Sequence, residues 1–166
     1  HANQLNQHAN LWKQISDAVT AFQKDLKTQN KADKVTLMTM TAARLLVVLF
    51  GVSLPYLARL PFGLDWLAQY TDIDIAGWLF FGAFNALAWG AIVAISYRYK
   101  RPEALIVPCL LGFGFLAWAH AILDLRADAQ AAIALIFIPV FALAPIAVGG
   151  LIGYFVDRRL GRSEEH

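Results

Sequence analysis

Apolar positions in this chain follow two different rules. Over residues 1–29 they recur. Leu5, His8, Trp12, Ile15, Val19, Phe22 and Leu26 are separated by alternating steps of three and four. That spacing is the a/d seam of a helix, with His8 as its one polar member. Lys13, Asp17, Lys24 and Lys27 fall off the seam, where water reaches them. The run Asn30-Lys31-Ala32-Asp33 then reads as a break and restart, with Asn30 or Asp33 available to cap a second helix.

Beyond residue 36 the apolar residues no longer recur; they run together. Gly77 to Tyr97 carries no charged residue, about 31 Å of helix at 1.5 Å per residue. Ala104 to Leu123 carries none apart from His120, and Ala129 to Val156 none at all, enough to cross a bilayer with tilt. The run from Leu37 to Leu60 is less clean. Arg44 and Arg59 interrupt it, and their Cα atoms are separated by roughly 22 Å of helix against a hydrocarbon core of about 30 Å. Both arginines are expected to snorkel outward along their long stems.

Loop charge decides that this first run also crosses. With spans at about 37–60, 77–97, 104–124 and 131–156, one side of the membrane receives Lys13, Lys24, Lys27, Lys31, Lys34, Arg44, Arg98, Lys100, Arg101, Arg158, Arg159 and Arg162. The other side receives Arg59 and Arg126. Positive residues stay cytoplasmic, so both termini are expected there. Tyr97, Tyr99 and Tyr154 mark the inner interface, and Tyr56, Trp66, Tyr70 and Trp78 the outer one. Segment 61–76 is apolar enough to lie along the headgroups as a short helix, with Asp65, Asp72 and Asp74 in water.

The expected fold is therefore an all-α membrane protein, a four-transmembrane-helix antiparallel bundle preceded by a cytoplasmic amphipathic or heptad helix. Residues 1–36 form that helix and its linker, 37–157 the bundle, and 158–166 a short charged tail. Composition agrees: 58% of the residues are hydrophobic and 16% charged, where a soluble domain averages about 45–50% and 25%. The chain opens without a visible signal peptide. Compactness and topology point to a bacterial cytoplasmic (inner) membrane.

Helices in lipid approach closely at small residues. Gly82, Ala86, Gly90 and Ala94 form one such ridge on the second span, and Gly149 and Gly153 extend another from Pro145 on the fourth. Among polar residues, His120 and Asp124 stand one turn apart on the third span, a pair that could relay protons or hydrogen-bond a quinone. Asn85 lies mid-span and needs an interhelical partner.

No catalytic, cofactor-binding or metal-binding motif is present. Cys109 is a lone apolar-run cysteine, one His and one Asp are half a metal site, and no phosphate-binding glycine loop appears. The chain also lacks the mid-span glutamate of small multidrug-resistance exporters, the paired cysteines of disulfide-forming membrane oxidases and the histidine set of diheme cytochromes. The basic cluster Arg98, Lys100 and Arg101 fits topology and anionic lipid, with no nucleic acid implied. The expected function is a non-enzymatic membrane anchor or accessory subunit that self-associates or recruits a partner through the heptad helix. Its expected partners are the lipid bilayer and a homo-oligomer or larger membrane complex. Two alternatives stand beside it: a small homo-oligomeric channel or transporter, and an electron-transfer or proton-relay subunit using His120 and Asp124.

Overall fold

A computed structural model describes residues 2–127 and 130–162, with the backbone alone for residues 2–12, 14, 15 and 162. The described residues are helical and contain no strand. Five α-helices follow one another: α1 (Ala2–Arg59), α2 (Leu64–Thr71), α3 (Ile75–Ser96), α4 (Ile106–Ile122) and α5 (Ala131–Arg162). Short 3₁₀ turns, Leu60–Phe62 and Pro102–Leu105, lead into α2 and α4. Four stretches are long and apolar enough to cross a membrane: Ser16–Phe62, Ile75–Ser96, Pro102–Ile122 and Ala131–Gly161.

The chain divides into two compact units, His1–Thr39 and Met40–His166. The first is helical through residues 30–33, where the sequence pattern predicts a break. The reason is local. No Gly or Pro stands between Lys24 and Thr39, and Asn or Asp in a helix interior costs under about 1 kcal/mol. The Thr28 and Thr36 hydroxyls donate to the carbonyls of Lys24 and Ala32, four residues back, so these side chains also bond within the helix. Of the heptad positions, Leu5, His8, Trp12 and Ile15 have side chains outside the described residues. Val19, Phe22 and Leu26 are 50%, 64% and 50% exposed, so the described part of the seam is uncovered.

In the second unit every helix buries one stripe. On α1 it is Met40, Val47 and Leu54, seven residues apart, continued by Pro55 and Arg59. On α3 it is Asn85, Ala88, Ile92 and Ser96. On α5, Leu135, Ile138, Ala142 and Ile146 lead into the buried Gly149, Gly150 and Gly153. The opposite faces carry Leu46, Leu79, Leu110, Phe141 and Phe155, all exposed. A surface as apolar as the core is what a bundle solvated by lipid requires, because burial of Leu against Leu gains little there.

Close approach does the packing instead. α5 packs against both α3 and α4. A Cβ placed on Gly149 would stand 2.7 Å from the Cα of Pro108, and one on Gly153 would stand 2.5 Å from the carbonyl oxygen of Ala104. Gly112 on α4 would meet Ile146 on α5, and Gly51 on α1 would meet Trp89 on α3, each at 2.5 Å. A Cβ on Gly82 or Gly90 would meet nothing within 4 Å, and Gly82 and Ala94 are exposed. At Gly82 and Gly90 the ridge on α3 therefore has open space beside it.

Candidate functional site

The bundle has two polar ends. At the basic end, Arg44 on α1 donates from Nε to the Ser96 hydroxyl at 2.8 Å and lies over the Tyr97 ring, 4.0 Å from its centroid. The Asp157 carboxylate on α5 accepts the backbone N–H groups of Lys100 at 3.2 Å and Arg101 at 3.0 Å, fixing the loop between α3 and α4. Tyr99 donates its hydroxyl to the Gly150 carbonyl at 2.8 Å. Burial, then the nearby Asp157, pushes the Tyr99 phenol pKa up.

The other end is built around α2. Gly63, at φ 103°, turns the chain from the first 3₁₀ turn into this helix, a conformation a Cβ would strain. α2 then lies back on the bundle. The Trp66 indole donates to the Ala121 carbonyl at 3.1 Å, and Gln69 accepts the Leu125 N–H at 2.9 Å. Asp74 caps α3 by accepting the Gly77 N–H at 2.7 Å.

Beneath α2 lies a buried cluster of Arg59, Tyr70 and His120. Arg59 is 0% exposed. Its Nη2 donates to the Leu123 carbonyl at 2.9 Å and its Nη1 to the Trp66 carbonyl at 3.4 Å, while Nε has no partner among the described residues. The guanidinium carbon lies 5.7 Å from the Tyr70 ring centroid. Arg59 therefore does not snorkel outward as expected. It turns inward, where the Leu123 carbonyl just past the end of α4 has no helical partner. Tyr70 stands edge-on to both Tyr56 and His120, with centroids at 5.3 and 5.7 Å. The Tyr56 hydroxyl in turn accepts the indole N–H of Trp78. Burial, then Tyr56, pushes the Tyr70 phenol up to about 12, against the pull of Arg59.

His120 is 1% exposed, and neither ring nitrogen has a hydrogen-bond partner among the described residues. Asp124 does not supply one. α4 ends at Ile122, Leu123 is extended at ψ 107°, and Asp124 lies beyond the helix, accepting the Arg126 N–H at 3.0 Å. The shared helix face assumed for the pair does not exist, because the chain leaves the helix between them. Asn85 finds its partner on α1: its amide donates to the Gly51 carbonyl at 2.9 Å. Cys109 remains a free thiol. Among the described residues, no three His, Cys, Asp or Glu side chains gather as a metal site would require.

The cluster thus holds a buried cation and a buried imidazole with free hydrogen-bonding capacity, roofed by aromatics from a short amphipathic helix. Arg59 and Tyr70 were not legible as its members. The signal available was an arginine closing a short span, followed by an apolar connection too long for a plain turn. No family model, curated protein or solved structure matches the chain.

Proposed function

We propose that this chain is a non-enzymatic, multi-pass membrane subunit that self-associates through its amino-terminal helix. In this reading its four helices cross a bacterial inner membrane as an antiparallel bundle, with both termini cytoplasmic by the distribution of lysine and arginine. The observation that carries self-association is the exposure of Val19, Phe22 and Leu26 at a/d spacing. A seam of about three heptads is marginal alone. Confining it to a membrane surface raises its effective concentration, which favours pairing of two copies. The open face of α3 at Gly82 supplies a second surface on which copies could pack within the bilayer.

The test is the mass of the purified protein in detergent, measured by light scattering. The unaltered chain is expected to run as a dimer or higher oligomer, and the double variant Val19→Asp, Phe22→Asp as a smaller species with unchanged helix content. An assembly that survives both substitutions overturns the reading.

His120 supports a second reading, a proton relay. A buried imidazole with two free nitrogens beside Tyr70 and Arg59 has hydrogen-bonding capacity that packing does not use. Proton leak in vesicles containing the protein is then expected to fall in His120→Phe. Equal leak in both proteins removes this reading.

A further inference from the structure

The basic end carries a cleft of about 670 Å³ between α3 and α5. Its walls change character along its length. Ala94 and Ile95 on α3 face Ala147 and Leu151 on α5, and Arg98, Tyr99 and Tyr154 close it toward the basic end. The two helices touch where Gly150 admits Ile95, whose Cδ1 would lie 3.0 Å from a Cβ at that position. The cleft volume is within the usual range for small-molecule sites, about 300–1,000 Å³.

Among the described residues, the charged side chain lining the rim is Arg98. Arg98 is exposed, and its side chain makes no hydrogen bond or ion pair among the described residues. Arg158, one turn beyond Tyr154, stacks on that ring with 4.8 Å between its guanidinium carbon and the ring centroid. Stacking by the face leaves the N–H groups at the guanidinium edge available. The Asp157 carboxylate, which acts on Tyr99, has its oxygens engaged by the backbone of Lys100 and Arg101. No acidic residue is among the described residues that line the cleft.

We propose that this cleft binds an anionic phospholipid. One acyl chain lies along Ala94, Ile95, Ala147 and Leu151, and the phosphate sits between Arg98 and Arg158. Three properties converge on that ligand: an apolar slot within the span, two arginines at its interfacial end, and a tyrosine holding one of them in place. Basic pockets between spans are suited to anionic headgroups, whereas a zwitterionic lipid brings a cation that Arg98 and Arg158 repel. The inference rests on the chain lying in a membrane, and not on its self-association.

The experiment places the protein in nanodiscs of phosphatidylglycerol or phosphatidylcholine and measures thermal unfolding, with native mass spectrometry of retained lipid in parallel. The unaltered protein is expected to unfold several degrees higher in phosphatidylglycerol and to retain that lipid in detergent. Arg98→Gln with Arg158→Gln is expected to abolish the difference, and Arg98→Lys with Arg158→Lys to keep most of it. Ala147→Trp, which fills the slot and leaves both arginines, is expected to reduce lipid retention at least tenfold. Equal behaviour in the two lipids, or a preference that survives the double glutamine variant, overturns the proposal. So does full stabilisation by inorganic phosphate alone, because the acyl slot would then contribute nothing.

Discussion

The Nη2 of Arg59 donates to the carbonyl oxygen of Leu123 across 2.9 Å, joining the end of α1 to the residue at which α4 stops. A buried hydrogen bond to a charged group is worth about 1.5–3 kcal/mol, and removing the donor leaves the acceptor unpaired. Arg59→Met is therefore expected to destabilise the bundle by about 2–4 kcal/mol, read as a loss of unfolding temperature in detergent. Arg59→Lys is expected to recover less than half of that loss, since an ammonium cannot reach two carbonyls in the same fork.

His120 predicts the opposite sign. Its two nitrogens are buried without partners among the described residues, and each carries a desolvation cost of about 1–3 kcal/mol. Phenylalanine fills nearly the same space and keeps the edge-on contact with Tyr70. His120→Phe is expected to raise the unfolding temperature, and His120→Ala to lower it by opening a cavity. A destabilised His120→Phe variant would mean that the imidazole makes a bond essential to the fold.

The glycines divide into two classes that one substitution separates. Gly149→Ala drives a methyl into the backbone of Pro108 and is expected to cost about 1–3 kcal/mol. Gly82→Ala meets open space and lies within a helix, so it is expected to leave the monomer as stable or slightly more stable. Unfolding in detergent under conditions that hold the protein monomeric checks both.

Alkaline pH tests the roof of the cluster. Tyr70 has its phenol pKa raised from 10.0 to about 12 in the folded protein. Below pH 10 both states hold the proton and stability is at its full value. As pH rises through 10 the unfolded state loses its proton first, so stability falls until the folded phenol also ionises near 12. The loss amounts to about 3 kcal/mol at one pKa unit per 1.36 kcal/mol. Tyr70→Phe is expected to flatten the unfolding temperature over that interval, with the smaller effect of Tyr99 remaining.

The spans were legible because a charge-free run of about 20 residues has few other destinations. Asp74 was read from the sequence only as a carboxylate in water; its capping of the Gly77 N–H was not, although a carboxylate three residues before an N–H is the local signal for it. Arg59 shows the limit. Its acceptor on Leu123 stands 64 residues away, and that acceptor exists only because α4 ends where no Gly or Pro marks an end. The same early end separates His120 from Asp124. The continuous helix through Asn30–Asp33 was missed for a converse reason: capping residues permit a helix start but do not compel one.

α5 makes the principal contacts of the bundle, with α3 on one side and α4 on the other, while α3 and α4 touch each other far less. It also follows both of them in the chain. Until it is made, the stretches of α3 and α4 that Gly150 and Gly149 meet lack that partner. Docking of α3 and α4 is thus a step that waits for α5, and any factor that guards these two helices beforehand must release them to a helix made after both.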